Sequence, residues 1–463
     1  MNKFVVFYHR CSFNVCLWAF LSLIGFMFVS SSAFAQCTQN SPCQSGDFTY
    51  TISGGTVTIA EYTSGGGAVV IPATIEGMPV VRIGEYAFAN CNGLTSVTIP
   101  DSVTSIGVGA FDCTGLTSIV VDANNAVYSS QDGVLYNKAM TVLIQYPVGK
   151  SGGFTIPNSV KSIGVNAFAS CSGLTSVTIG NSVTNIGDFA FYDCTGLTSV
   201  TIPDSVTSIG DSAFESCDGL TSVTIGNSVT SIGDSAFDWC NGLTSVIFQT
   251  PSNVTSIGDE AFQDCKHLTS VTIGNSVTNI GDSAFYDCGS LTSVTIGNSV
   301  TNIGYFAFYD CTGLTSVTIP DSVTSIGDFA FESCGSLTKA YFLGNAPSMG
   351  MEVFDGCASN FSVCYTAGST WFTSPTWDGY PAAVCNQCVA KTLYGEGSEE
   401  TELLREYRDK VLSKSATGRQ MIKTYYELSP AVSEVLQKND IARTNARKVL
   451  DTFMPAIRVR VKQ

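Results

Sequence analysis

The sequence predicts a repeat solenoid, mainly β, with about 23 residues per turn, followed by a small α-helical C-terminal domain. Three observations carry that prediction. Cys171, Cys194, Cys217 and Cys240 lie 23 residues apart, and after a two-residue insertion the spacing resumes at Cys265, Cys288, Cys311, Cys334 and Cys357. An Ala-Phe pair precedes the cysteine by a fixed offset, as in Ala213-Phe214, Ala236-Phe237, Ala284-Phe285 and Ala330-Phe331. From Cys388 onward the Gly/Ser/Thr-rich pattern gives way to charged segments with apolar residues at helical spacing. A fixed period in this range marks units that bury their apolar faces only against their neighbours.

One unit can be read physically. Leu197, Val200 and Ile202 form L-x-x-V-x-I, with Thr198, Ser199 and Thr201 between them. This is a short strand with Val and Ile inward and Thr outward. Pro203-Asp204, or Gly180-Asn181 in another copy, is a turn signal. Val206 and Ile209 supply a second apolar pair, and Gly210 permits a bend. Asp211 before Ser-Ala-Phe reads as the N-cap of one short helical turn. Ala213, Phe214 and Cys217 complete the interior. At ~4.8 Å between stacked strands, about thirteen coils span on the order of 60 Å.

These residues resemble the BspA-type leucine-rich repeats of bacterial surface proteins, over roughly Phe48 to Cys357. The resemblance implies a secreted or surface-displayed binding protein, often an adhesin, with no catalytic residues and no defined ligand.

The chain divides into five expected parts. Residues 1–35 read as a signal peptide: Lys3 and Arg10 are basic, Val15 to Val29 is apolar, and Ala33-Phe34-Ala35 fits a cleavage site. The competing reading is an uncleaved anchor, but the apolar run is short for a span. Residues 36–83 read as a lead-in and cap, with a hairpin in Thr51 to Ala60 turning at Gly54-Gly55. The solenoid covers 84–357. Its spacing is broken by 12 extra residues between Asp122 and Pro157, where Asp132-Gly133 is a turn signal, and by a longer turn at Thr250-Pro251-Ser252. Residues 358–387 read as a C-terminal cap in which Trp371, Phe372, Trp377 and Tyr380 cover the last coil; an aromatic ligand site is the other reading. Residues 388–463 form the helical module, with helices over 399–413, 418–428 and 431–439. Its Cys388, Thr392, Tyr394 and Gly395, then Leu403 to Leu412 and Tyr425 to Pro430, resemble the CFI-box C-terminal domain. That resemblance implies an architecture and no chemistry.

Charge excludes one partner class. The net charge is −16, and residues 1–385 hold 8 Lys+Arg against 28 Asp+Glu, whereas residues 386–463 hold 14 against 10. Nucleic acid wants a basic footprint, so it is not expected as a partner. Membrane association is expected only through export.

Export permits disulfides. Stacked cysteines have parallel Cβ vectors, a poor bridging geometry, so the ladder from Cys91 to Cys357 reads as buried free thiols. Cys37, Cys43, Cys364 and Cys385 are the disulfide candidates, as Cys37–Cys43 and Cys364–Cys385.

Catalytic motifs are missing. His267 is the one histidine after residue 35 and stands at a turn position. No metal, cofactor or enzymatic activity is expected. The in-register aspartates 188, 211, 234, 259, 282 and 328 read as caps rather than a calcium ladder. The functional expectation is therefore recognition: Thr198, Thr201, Thr221, Thr224, Thr244, Thr292, Thr295, Thr315 and Thr318 offer parallel rows of hydroxyl and methyl groups. These rows would bind a protein or glycan on a host or neighbouring cell surface. The alternatives are a structural spacer presenting the C-terminal helices, and a threonine sheet that orders ice.

Overall fold

A computed structural model describes residues 42–384 apart from 367 and 368, residues 404, 407 and 411, and the helix α1, Asp440–Lys462. The signal segment, Cys37, Cys385 and nearly all of the three expected helices before residue 440 lie outside the described residues. Helix α1 lies beyond the last helix expected from sequence and runs on through Pro455, a residue that normally argues against a helix interior.

The solenoid of about 14 coils has three sides. The first is the expected strand. Ser199–Ile202 pairs in parallel with Ser222–Ile225, residue for residue, with Val200 and Ile202 buried and Thr201 exposed.

The second side is also a strand, which the apolar pair alone did not announce. Ser208–Ile209 pairs in parallel with Asn185–Ile186 on one flank and Ser231–Ile232 on the other. Such two-residue strands continue to Ser348–Met349 in a 12-stranded ladder. The two-residue insertion does not break it, because Ile232 still pairs with Ile257. The extra residues are absorbed in the loop at Thr250–Ser252.

The third side corrects the expected helical turn. Asp211–Ser216 forms tight turns, with Ser212 (φ 53°) and Ser216 (φ 58°) left-handed. A helix would keep its hydrogen bonds to itself, whereas this backbone shares them with its neighbour. The N–H groups of Ser212, Phe214 and Ser216 donate to the carbonyls of Asp234, Ala236 and Asp238 in the next coil, each at 2.8 Å. Those of Glu215 and Cys217 close onto Ser212 and Phe214 at 3.2 and 3.3 Å. Every second donor thus joins coils.

Asp211 is consequently no N-cap. Its Oδ1 accepts the N–H of Asp234 at 3.0 Å. Asp188, Asp234, Asp259 and Asp282 serve the coil that follows each of them in the same way, at 2.8–3.1 Å.

The interior is a column of rings and thiols. Phe168, Phe191, Phe214, Phe237, Phe262, Phe285, Phe308, Phe331 and Phe354 stack at centroid distances of 4.6–5.4 Å. The ladder cysteines are free thiols, buried from Cys113 to Cys334. Each of these donates to a carbonyl of the coil behind it, as Cys217 Sγ does to Phe191 O at 3.1 Å. Burial pushes the Cys113 thiol up to about 12 and raises those of Cys171, Cys217 and Cys265 as well.

The ends are closed by different devices. Phe48–Ser53 and Thr56–Tyr62 form the expected N-terminal hairpin, with Ser53 opposite Thr56. Coil-to-coil pairing begins at the hairpin's second strand, where Val57 lies opposite Val80 in Met78–Ile83, and on the strand side at Gly67–Val70, opposite Leu94–Ile99. The extra residues after Asp122 make a second hairpin, Tyr128–Gln131 with Val134–Asn137, turning at Asp132 (φ 53°) and Gly133 (φ 78°). At the C-terminal end Trp377 packs edge-on to Phe342, and Tyr380 donates to Asp355 at 2.8 Å. Cys43 and Cys364 are each disulfide-bonded.

Candidate binding faces

The strand side places the expected threonines in two columns with different chemistry. Those following the repeat Leu have hydroxyls already engaged: Thr198, Thr221, Thr244 and Thr292 donate to the preceding coil's threonine carbonyl at 2.9–3.4 Å. Thr315 is exposed in the same column, and its carbonyl accepts the hydroxyl of Thr338 at 3.2 Å. In the second column, Thr201 and Thr295 are exposed and Thr224 and Thr318 half-buried. Their hydroxyls make no hydrogen bond to the described residues, so they are open to a partner.

The second column runs into a groove of 860 Å³, lined by Ile247, Phe248, Pro251, Thr272, Thr295 and Thr318 among others. Local sequence explains it. Two of the coils beneath turn on Gly274-Asn275 and Gly297-Asn298, which lack the Pro of Pro203 or Pro320. The loop at Thr250–Ser252 rises at one end. Ile247, which takes the place of a repeat threonine, is 53% exposed there. A groove of this size with an apolar edge and free hydroxyls suits ligand binding. Sequence reading missed Ile247 and Phe248, although Val246-Ile247-Phe248 in place of V-T-I was the available signal.

At the C-terminal end the two readings of the aromatics divide. Phe372 stacks on Tyr365 at 4.6 Å, Trp377 is buried, and Tyr380 sits against Phe354 at 5.5 Å, so these three are cap. Trp371 is 79% exposed and lines a 480 Å³ cleft with Asp321 and Asn345.

The outer face of the turn side has its own chemistry. It is acidic, with aromatics in a few coils. Trp239 is half-exposed, and the Lys266 ammonium lies 5.7 Å from its ring centre. That ammonium pairs with Asp264 at 3.1 Å and Asp287 at 3.2 Å, and the two carboxylates hold its pKa above the usual lysine value. Asp238 is 6% exposed, and its Oδ1 has no hydrogen-bond partner. Burial, then Glu215 and Glu260, push its carboxyl up to about 7. His267 is an exposed turn residue whose Nδ1 lies 2.6 Å from the Asn241 carbonyl. Among the described residues no three His, Cys, Asp or Glu side chains converge as a metal site, and no helix is long and apolar enough to cross a membrane.

A 23-residue coil with an L-x-x-V-x-I strand and an interior Phe-Cys ladder defines a leucine-rich-repeat protein. The chain belongs to the family of the BspA type leucine rich repeat region, matched in 6 copies over residues 69–145, 150–250 and 239–360. No curated protein matches it. Among solved structures it is similar to a leucine rich cell surface protein from Faecalibacterium prausnitzii, at 27% identity over 71% of this chain and 95% of that one, TM-score 0.37. It is also similar to a leucine-rich repeat protein from Bacteroides ovatus, at 26% identity over 73% and 98%, TM-score 0.38. A third, from Eubacterium ventriosum, is 22% identical over 72% and 97%, TM-score 0.41.

Proposed function

We propose that this chain is an exported, surface-associated recognition protein that acts by binding and not by catalysis. Its partner is a protein or glycan of a host or neighbouring cell, held on the strand side. The observation that supports this reading most is the 860 Å³ groove, where open hydroxyls of Thr272, Thr295 and Thr318 adjoin the exposed Ile247. Hydroxyls give direction, and the apolar edge gives area that loses water readily. Further rows along the strands add weak contacts that a long partner makes together.

The test is Thr272→Lys with Thr295→Lys. Both positions are exposed, so the double variant should melt within a few degrees of the parent. Its binding to immobilised matrix proteins and surface glycans should fall by about tenfold or more, for a loss of ~1.4 kcal/mol. Unchanged binding by the folded variant would remove the strand side from the reading.

A further inference from the structure

The turn side differs from the strand side in charge and in its outer residues. Between residues 162 and 338 the chain holds one lysine, Lys266, no arginine and 17 Asp+Glu. In coils 282–332 aromatic rings sit among these carboxylates. Tyr286 and Tyr309 stack at 4.9 Å, Phe306 and Phe329 at 4.9 Å, and Phe306 meets Tyr309 edge-on at 5.5 Å. None of the four is in the buried core, and Tyr305 beside them is 51% exposed.

The fold does not ask for these rings. Other coils place Ser212, Ser235 and Ser283 where Phe306 and Phe329 stand, and Gln263 where Tyr286 and Tyr309 stand. Phe306 (φ 53°) and Phe329 (φ 61°) even hold the left-handed backbone, which disfavours a bulky side chain. The rings therefore add outer aromatic surface to a coil that closes with Ser in the same place.

The chain itself shows what such a surface holds. Lys266 lies over the Trp239 ring and between the carboxylates of Asp264 and Asp287. One coil toward the N-terminus, Asp238 keeps a buried carboxylate oxygen without a donor, beside Glu215 and Glu260. Toward the C-terminus, Asp310 and Glu332 flank the ring cluster with no lysine or arginine between residues 267 and 338. The arrangement is aromatic faces plus carboxylates, without enough cations.

We propose that the turn side from Glu215 to Glu332 docks an arginine-rich segment of a partner protein. A guanidinium stacks flat on a ring and donates two hydrogen bonds to a carboxylate at the same time, a pairing that an ammonium does not match. Charge complementarity speeds encounter, and the rings supply the preference for arginine.

The probe is a short fluorescent peptide alternating arginine and glycine, with its lysine counterpart, titrated by anisotropy into the full-length chain. The arginine peptide should bind several-fold more tightly than the lysine peptide, and the difference should persist in about 0.3 M salt. Phe306→Ser with Tyr309→Gln installs residues that other coils already carry at these positions. It should weaken the arginine peptide about tenfold and erase its advantage over lysine. At about pH 8, where Asp238 is ionised, Asp238→Asn keeps the size, removes the charge and should weaken both peptides. If the double variant does not fold, Tyr309→Gln alone reads the same contact. Equal binding of the two peptides, or an unchanged arginine affinity in a folded ring variant, overturns the proposal and leaves only diffuse charge attraction.

Discussion

The strand side and the turn side of each coil solve the same stacking problem in opposite ways. On the strand side the outer residues barely change: threonine, serine and threonine recur at 198, 199 and 201 and again at 221, 222 and 224. On the turn side the inner residues are fixed as Ala, Phe and Cys, while the outer positions range over Ser, Glu, Gln, Phe and Tyr. A strand needs β-branched residues along its length, so its outer face is constrained by the ladder. A turn that hydrogen-bonds through its backbone leaves the outer side chain free. Individuality is thus written mainly on the turn side and at the groove where the strand pattern lapses.

The largest contrast lies between inside and outside of one turn. Phe214 is fully buried between Phe191 and Phe237. Phe214→Ala should cost about 3–5 kcal/mol in urea or thermal unfolding. Tyr309→Ala, on the outer side of an equivalent turn, should cost under about 1 kcal/mol. Comparable losses would mean that the outer ring is part of the core.

A second contrast sets Asp238 against the other turn-side carboxylates through pH. Its folded pKa of about 7 lies above the ordinary 3.8. Between about pH 4 and pH 7 the folded state therefore holds a proton that the unfolded state has released, and stability falls as pH rises through that window. Asp238→Asn should leave stability at about pH 4 unchanged and raise it at about pH 8 by on the order of 2 kcal/mol. An unchanged pH profile would place Asp238 in contact with water.

Asp211 separates a cap from an inter-coil acceptor. Asp211→Ala should cost only ~0.5–1 kcal/mol, the value of one exposed hydrogen bond to the Asp234 N–H. An amide-exchange measurement adds the decisive detail: protection should drop at Asp234 in the next coil, not within residues 212–214.

How much of this was legible depends on what kind of bond does the work. Side-chain periodicity revealed the coil, the strand face and the buried Phe-Cys column, because burial fixes residue type at each. The hairpin at Gly54-Gly55 and the turn at Asp132-Gly133 were legible because left-handed turns favour those residues. The second ladder was not, since two residues such as Ser208-Ile209 are too short for any alternation to show. The turn side was misread because Asp followed by Ser-Ala-Phe satisfies a helix N-cap pattern, while the backbone closes onto the next coil. Nothing in one unit's sequence reports hydrogen bonds made to its neighbour. The groove was missed for a related reason. It arises from the Gly-Asn turns, the loop at 250–252 and Ile247 together, and no single coil contains it.

The smallest expected effect divides the strand face itself. The Thr221 hydroxyl donates to Thr198 O at 3.0 Å, but that carbonyl already accepts the Thr221 N–H at 2.9 Å. Thr221→Val keeps the shape and the β-branch and leaves no carbonyl unpaired, so its cost should be about 0.5 kcal/mol or less. Thr224→Val loses no bond and should be neutral or slightly stabilising. Three-site sets make the difference measurable by summing small changes, with coupling between Thr221 and Thr244, which stack in adjacent coils. Thr221, Thr244 and Thr292 to Val should cost roughly 1 kcal/mol in total, and Thr224, Thr295 and Thr318 to Val roughly nothing. Binding should rank them the other way. The second set removes hydroxyls that are open to a partner, two of them in the groove, whereas the first removes hydroxyls spent between coils. If both sets weaken binding equally, recognition depends on the methyl and backbone surface of the whole sheet. If only the first does, the inter-coil hydroxyls are the ones exposed to ligand.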